Sequence, residues 1–411
     1  MSQQSLNDPE IELLIPEKDV EAPELTICVP ALNEALTIGE FVDWCHEGIR
    51  SAGVIGEILI IDSSTDKTAE IAVSKGARVL KTPKRGLGRA YIDALGYVRG
   101  KYIILGDCDC TYDFRQIKPF IERFREGNEF IMGSRFRGYI EPGAMPPLHQ
   151  YLGTPVTTWI LNIIYSSQFT DIHCGMRGVT KNAFLKMDLR SQSWEYASEM
   201  VLKSVHLRLR TVEVPIRFLK DKEGRLSHHK REGWFSPWKA AWINLKAMFI
   251  YGPDFFLFKP GILLLTVGSI LVFGLSLGPV RFGPITLSLY WMLLGLTLSV
   301  VGIQSIYMGI LAGFIFNYEG TRRGKWMNVF SYNRTVLASL VMGFVGSVLL
   351  VPLVLSYVRN GLSLPAVDQS SHLAILGIFF LIAAFITFTF TLLLHATDIY
   401  TKNVQGKSND I

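Results

Sequence analysis

Three aspartates lie within seven positions of the stretch DCDCTYDF, at Asp107, Asp109 and Asp113. The stretch follows KYIILG, an apolar run typical of a buried strand. Clustered carboxylates repel one another unless a cation lies between them. A D-x-D pair at a strand exit can direct its carboxylates towards a divalent ion, and hard oxygen ligands favour magnesium, manganese or calcium. Because magnesium shares its shell with substrate phosphates, the pattern predicts a metal–diphosphate site.

Two other predicted strands also end at polar or acidic side chains. LTICVP is followed closely by Asn33 and Glu34, and EILIID ends at Asp62. Helix capping explains such a residue at one strand exit, but it is a poor explanation for three acidic exits. Ligands of parallel sheets bind beyond the carboxyl ends of the strands. These side chains are therefore expected at the same sheet edge as the aspartates of DCDCTYDF.

Short apolar strands alternate with amphipathic helical stretches in the first 230 residues. The predicted strands cover 25–30, 57–62, 77–80, 101–106, 129–133 and 211–218, and the predicted helices lie near 35–52, 66–75, 88–99 and 115–126. This alternation predicts an α/β domain with a mainly parallel sheet. KRGLGRA lacks the full dinucleotide fingerprint, which argues against a Rossmann oxidoreductase.

The rest of the chain is much more apolar. The 411 residues are 49% hydrophobic, and the mean hydropathy is +0.27. Four runs contain no charged residue, and they cover 261–280, 287–316, 335–358 and 373–394. Because roughly 20 residues of helix span a bilayer, four transmembrane helices are predicted.

Charges in the links between these spans predict the orientation of the protein. The link between the second and third spans contains Arg322, Arg323, Lys325 and Arg334, whereas the two other links contain only Arg281 and Arg359. By the positive-inside rule, both termini and the catalytic domain face the cytoplasm at the inner or plasma membrane. No signal peptide is evident, and the acidic residues 1–23 are expected to form a disordered tail.

Cysteine usage argues against a structural metal site. The five cysteines are scattered, which fits a reducing compartment. Cys108 and Cys110 resemble half of a zinc site, but no second pair lies nearby.

A basic block precedes the first span. Residues 201–240 contain ten Lys and Arg against four Asp and Glu, a net charge of +6, and Trp234, Trp238 and Trp242 follow at a spacing of four. Tryptophan and lysine on one helix suit the lipid headgroup layer. The segment 231–258 is therefore predicted to form interfacial amphipathic helices, although a helix packed on the domain remains an alternative.

The motifs VPALNEA, IIDSSTDKT and DCDCTYDF, in this order and spacing, resemble the nucleotide-sugar-binding motifs of family-two glycosyltransferases with the GT-A fold. GSRF, DIHCGMRG, WEYASEM and EVPIRF followed by EGRLSHHK extend the likeness to polyprenyl-phosphate glycosyltransferases of the dolichyl-phosphate mannose or glucose synthase type. The resemblance implies a GT-A (Rossmann-like), mainly parallel sheet domain, followed by an all-α four-helix transmembrane domain. The expected boundaries are a tail at 1–23, the GT-A domain at 24–230, interfacial helices at 231–258, the transmembrane domain at 259–396 and a cytoplasmic tail at 397–411.

The resemblance also implies a role for each matching residue. The donor-binding residues are Pro30, Asn33, Glu34, Asp62, Asp107, Arg225 and Ser227. Asp107 and Asp109 are the implied ligands of Mg²⁺ or Mn²⁺. The implied catalytic residues are Asp109, Arg135 and Asp171, and the implied acceptor-binding residues are Arg135, Arg177 and His149. The sequence departs from the family where Ser63 follows Asp62, where Thr111 and Tyr112 follow the D-x-D pair, and where His149 and Gln150 replace a second acceptor arginine.

The implied activity is that of a membrane-bound inverting glycosyltransferase that moves a sugar from a nucleotide-diphosphate donor to a lipid. A polyprenyl phosphate is the expected acceptor, and diacylglycerol is the alternative. Asp171 would orient a phosphate acceptor, whereas a hydroxyl acceptor would require it as a base. A non-catalytic scaffold with the same fold is the competing class, and the absence of a Q-x-x-R-W motif argues against a processive polysaccharide synthase. Nucleic acid is not expected as a partner, and a homo-oligomer is left open.

Overall fold

The computed structural model describes residues 8–165, 167–225, 254–315, 321–363 and 369–409. The chain divides into two compact units, Met1–Tyr251 and Gly252–Ile411. The predicted interfacial segment lies almost entirely outside the described residues, as does Ser227.

The first unit is built on an eight-stranded sheet with the order β1–β4–β3–β2–β5–β7–β6–β8. Its strands are β1 Glu12–Leu14, β2 Leu25–Ala31, β3 Gly56–Asp62, β4 Arg78–Lys81, β5 Tyr102–Leu105, β6 Phe130–Ile140, β7 Arg177–Thr180 and β8 Thr211–Phe218. The pairs β2–β3, β2–β5, β3–β4 and β6–β8 are parallel. The other pairs are antiparallel, so the sheet is mixed but mainly parallel, as the sequence predicts.

Helices connect these strands in chain order. They are α1 Ile38–Ala52, α2 Thr68–Ser74, α3 Leu87–Ala94, α4 Lys118–Arg125, α5 Thr154–Tyr165, α6 Lys181–Met187 and α7 Tyr196–His206. A short 3-10 turn, Phe114–Gln116, precedes α4, and a π-helical turn, His149–Gly153, leads into α5.

The centre of the sheet is apolar on both faces. Nearly every residue of β2, β3 and β5 is buried, which explains why their sequences are runs of Ile, Leu and Val rather than alternating patterns. The buried face of α1 includes Phe41, whose ring packs edge-on against Phe114 with 4.9 Å between centroids. The core therefore fixes the ends of β2, β3 and β5, where the polar motifs begin.

Strand β7 was not among the predicted strands, yet it determines how the site is assembled. It lies antiparallel between β5 and β6, with Arg177 opposite both Leu105 and Met132. This pairing brings DIHCGMRG beside the D-x-D motif and beside GSRF.

The prediction of a disordered acidic tail is wrong for its described part. From residue 8 onwards, the segment contains β1, which pairs antiparallel with β4. Arg85 forms ion pairs with Asp8 and Glu10, and Arg99 pairs with Asp19 at 2.8 Å. The positive charges of these two arginines offset the negative charges of the acidic segment.

The second unit consists of long apolar helices. A π-helical turn, Asp254–Phe258, precedes α8 Lys259–Gly274, and then come α9 Leu289–Ile315, α10 Thr321–Val329, α11 Tyr332–Arg359 and α12 Gln369–Asn409. A two-stranded hairpin, β9 Val280–Phe282 and β10 Ile285–Leu287, lies between α8 and α9. Among the described residues, four helical stretches are long and apolar enough to cross a membrane: Phe255–Gly274, Leu289–Ile315, Tyr332–Arg359 and Gln369–Tyr400.

Close helix packing in this unit relies on small residues. A Cβ atom at Gly268 would lie 2.5 Å from the backbone nitrogen of Ser299, so only glycine allows α8 to approach α9 this closely.

Candidate active site

The loops after β2 and β3 are joined by side-chain hydrogen bonds. Asn33 has a φ of 57°, in the left-handed region that asparagine tolerates better than most residues. The side-chain oxygen of Asn33 accepts a hydrogen bond from the backbone amide of Thr65 at 2.9 Å, and the backbone amide of Asn33 donates to Ser64 Oγ at 2.7 Å. Asp62 accepts a hydrogen bond from the Ser64 amide at 3.2 Å. Burial raises the pKa of Asp62. A ligand that donates a hydrogen bond to its carboxylate would favour the charged form.

The D-x-D aspartates lie directly beyond β5. The Tyr91 hydroxyl donates to the carbonyl of Gly106 at 3.2 Å, which fixes the strand end just before Asp107. Asp109 Oδ1 accepts hydrogen bonds from the amide and the hydroxyl of Thr111, at 3.0 and 2.6 Å. Burial, and then the neighbouring charge of Asp109, raises the pKa of Asp107 to about 7. Two crowded carboxylates with this electrostatic cost favour a cation between or beside them.

The third aspartate of the motif is not part of this pocket. Asp113 accepts a hydrogen bond from the Arg115 amide at the start of the 3-10 turn and pairs with the Arg115 guanidinium at 2.7 and 3.0 Å. Its side chain is fully enclosed by these contacts, so its role is structural.

Arg225 enters the acidic pocket from the segment after β8. Its Nε and Nη2 atoms donate to the two carboxylate oxygens of Glu34 at 2.8 and 2.7 Å. Nη1 lies 2.8 Å from Asp221 and 3.2 Å from Asp109 Oδ2. The structure therefore brings together Glu34, Asp109 and Arg225, which are far apart in sequence.

The donor atoms of the pocket suit a hard divalent ion that shares its shell with a substrate. In the part of the chain that the structure describes, no three His, Cys, Asp or Glu side chains are grouped closely enough to hold a metal alone. Asp107 and Asp109 offer oxygen only, and Mg²⁺ is commonly held by one or two carboxylates together with phosphate oxygens. The two aspartates therefore fit such an ion.

Arg135 and Asp171 form a second cluster. The Arg135 guanidinium donates through Nε and Nη2 to both oxygens of Asp171, at 2.6 and 2.8 Å, and its backbone amide donates to the same carboxylate at 3.1 Å. The side chains are 9% and 0% exposed. The two residues predicted to act at the acceptor are thus brought together as one buried bidentate pair.

Arg177 shapes the loop before β7. Its guanidinium donates to the backbone carbonyls of Ile172, Cys174 and Ala197. These bonds explain how it steadies the pocket, and they leave it little capacity to bind an acceptor directly. His149 begins the π-helical turn before α5.

Two residues that support the site received no predicted role. Glu213 of EVPIRF accepts hydrogen bonds from the backbone amides of Thr170 and Asp171, at 2.6 and 3.3 Å, and so holds the backbone that carries Asp171. His173 lies 2.8 Å from Thr157 Oγ1, and burial, followed by the charge of Arg135, lowers its pKa to about 4. It is therefore neutral near pH 7. Both residues lie in motifs that were recognised in the sequence, and this position was the signal that could have identified them.

Tyr112 connects the two clusters. Its hydroxyl accepts a hydrogen bond from the Gly175 amide at 2.8 Å. A Cβ atom at Gly175 would lie 2.7 Å from Asp107 Oδ2, so a larger residue in this loop would displace the Asp107 carboxylate. The acceptor-side loop and the acidic pocket are therefore in direct contact.

Two family models match the chain. Residues 26–188 match glycosyl transferase family 2. Residues 315–398 match the C-terminal transmembrane region of family 2 glycosyltransferases.

Individual proteins are also similar to parts of the chain. The low-salt glycan biosynthesis hexosyltransferase Agl6 of Haloferax volcanii is 35% identical over 279 residues, which are 66% of this chain and 65% of that protein. A dolichyl-phosphate hexose transferase of the same organism is 24% identical over 198 residues, which are 47% of this chain and 82% of that protein. The crystal structure of mannosyl-3-phosphoglycerate synthase from Rubrobacter xylanophilus is 22% identical, with a TM-score of 0.43 over 55% of this chain and 73% of that one.

The sheet order, the ordered motifs and the matched region agree with one another. Residues 26–188 belong to glycosyl transferase family 2, in a GT-A fold that resembles the dolichyl-phosphate sugar transferases and is followed by four helices able to cross a membrane.

Proposed function

We propose that this protein is a membrane-bound inverting glycosyltransferase that moves a hexose from a nucleotide-diphosphate sugar to a polyprenyl phosphate. The main supporting observation is the pocket at the carboxyl ends of the parallel strands. There, Asp109 of the D-x-D pair lies 3.2 Å from the basic side chain of Arg225. Such a pocket suits a diphosphate held between a divalent ion and a guanidinium.

Each residue of the pocket has a chemical role in this proposal. Asp107 and Asp109 would hold Mg²⁺ or Mn²⁺, which would supply positive charge against the leaving diphosphate. Arg225 would add a second positive charge on the same leaving group. The linked loops around Asn33 and Asp62 would bind the nucleoside.

The Arg135–Asp171 pair favours a phosphate acceptor over a hydroxyl acceptor. Both oxygens of Asp171 already accept hydrogen bonds from Arg135, an arrangement better suited to positioning than to removing a proton. A lipid monophosphate is already a charged nucleophile and requires little base catalysis. Arg135 Nη1 lies outside the pair and could meet that phosphate, because guanidinium groups bind phosphate oxygens well.

An exposed apolar face on the first unit supports action at a membrane. Along the π-helical turn and α5, the large side chains of Tyr151, Leu152, Trp159 and Ile163 are 76%, 56%, 63% and 46% exposed. Their spacing places most of them on one face of the helix. Aromatic and aliphatic side chains in this arrangement suit the lipid headgroup layer.

The product of the reaction tests the proposed function. Membranes that contain the protein, supplied with a panel of nucleotide sugars, should form a polyprenyl-phosphate hexose detectable by mass spectrometry. Asp107→Asn membranes are the control for background enzymes. A hexosyl diacylglycerol as the product would support the alternative acceptor, and no glycolipid with any donor would support the non-catalytic scaffold.

Both termini and the catalytic domain are proposed to face the cytoplasm. The five native cysteines are buried, so single engineered cysteines can report the topology. An impermeant maleimide applied to intact cells should label Ser363→Cys and spare Asn333→Cys, two positions that are exposed in the structure. Permeabilised cells, in which both positions should react, are the control. Labelling of Asn333→Cys alone in intact cells would indicate the opposite topology.

A further inference from the structure

The acidic pocket already contains a positive charge. The Arg225 side chain is only 7% exposed and forms ion pairs with three carboxylates, those of Glu34, Asp109 and Asp221. A guanidinium so enclosed by carboxylates compensates charges that would otherwise repel one another.

Arg225 contacts the oxygen that a metal ion would need. Asp109 Oδ1 is already committed to Thr111, so Oδ2 is the atom through which Asp109 can meet a cation. Arg225 Nη1 lies 3.2 Å from this Oδ2 atom. A guanidinium and a divalent ion close to the same oxygen repel each other, so their occupancies oppose one another.

Polar contacts attach the segment that contains Arg225 to the rest of the unit. Residues 219–225 follow β8 without forming a helix or strand. Lys222 forms an ion pair with Glu40 on α1, and the Leu219 amide donates to the Thr111 carbonyl at 2.7 Å. Contacts of this kind can exchange when a stronger charge enters the pocket.

We propose that Arg225 is the resident counter-cation of the acidic pocket and that it exchanges with the divalent ion. Without donor, it neutralises Glu34 and Asp109. When the metal and the nucleotide diphosphate bind, Arg225 releases Asp109 and meets the diphosphate. This inference rests on the proposed function, and it explains how one arginine can oppose the binding of metal alone while favouring the binding of metal with donor.

Binding of Mn²⁺ alone to the full-length protein in detergent tests the exchange. Arg225→Gln should bind Mn²⁺ about tenfold more tightly than the wild type, or more, because a positive charge has left the site. The double variant Asp109→Asn/Arg225→Gln should lose this gain. Arg115→Gln, which removes a bidentate guanidinium from Asp113 in the same motif, is the matched control and should leave Mn²⁺ affinity unchanged.

In a second measurement, Arg225→Gln should have the opposite effect on affinity. In the presence of UDP or GDP, Arg225→Gln should weaken the joint binding of Mn²⁺ and nucleotide, because the arginine that meets the diphosphate is gone. Arg225→Lys retains a charge and should stay closer to the wild type in both measurements, which provides a variant if the glutamine protein is unstable.

Equal or weaker binding of Mn²⁺ alone by Arg225→Gln, or no Mn²⁺ binding by either protein, would overturn the exchange. Glycolipid formation by the wild type, measured separately, shows whether the proposed function stands in that case.

Discussion

Asp109→Asn is expected to reduce glycosyl transfer by about a thousandfold or more while leaving the fold intact. The asparagine side-chain oxygen can still accept the two hydrogen bonds from Thr111, so the local turn should persist. What is lost is the negative charge that, in the proposed mechanism, would hold the ion beside the diphosphate. Transfer should be measured with purified protein at saturating donor, together with the melting temperature.

Asp113→Asn is the matched control for this prediction. It removes a charge from the same eight-residue motif, but Asp113 pairs with Arg115 and lies outside the pocket. Its transfer rate should stay within about threefold of the wild type, even if the protein is less stable. Normal turnover by Asp109→Asn, or full wild-type activity in EDTA, would contradict a catalytic metal at this position.

The central strands and the acidic exits could be predicted because local sequence determines them. The buried runs of β2, β3 and β5 are mainly apolar, with Thr26 and Glu57 as buried exceptions near the strand starts, and their polar exits follow directly in the chain. Parallel pairing then places Asp62 and the D-x-D aspartates at one edge, as the rule for such sheets requires.

Elements that depend on distant partners were not predictable in the same way. Strand β7 is only RGVT, four residues without an apolar run, and it is a strand because β5 and β6 flank it. Strand β1 lies in an acidic segment whose charges are compensated by Arg85 and Arg99. Tertiary pairing here outweighs local propensity.

For the site, the sequence predicted which residues are candidates but not which residues they contact. The sequence singled out Arg135, Asp171, Arg177 and Arg225 as functional candidates. It could not show that Arg135 and Asp171 are bonded to each other, that Arg177 binds three backbone carbonyls, or that Arg225 lies against Asp109. Such contacts join residues far apart in the chain, and only the folded sheet brings them together.

Arg135→Lys is expected to reduce transfer to polyprenyl phosphate by about a hundredfold while changing donor affinity by less than about twofold. Lysine retains the charge, but it cannot form the bidentate bonds that Arg135 makes with Asp171 or offer a further nitrogen to phosphate. Because an imperfect buried ion pair is costly, the variant should also be less stable, by up to about 3 kcal/mol. The measurements are transfer rate, donor affinity and the free energy of unfolding.

Arg137→Lys is the matched control, since Arg137 lies two residues further along β6, is 54% exposed and contacts Glu213 only at 3.5 Å. It should retain near-wild-type transfer.

Asp171→Asn then separates the two acceptor chemistries. If Asp171 positions Arg135 for a lipid phosphate, the asparagine variant should keep measurable transfer with an unchanged pH profile. If Asp171 is the base for a lipid hydroxyl, that variant should be inactive and the wild type should prefer diacylglycerol to polyprenyl phosphate at matched concentration. Such a preference, or an Arg135→Lys defect confined to donor binding, would replace the phosphate acceptor with the hydroxyl one.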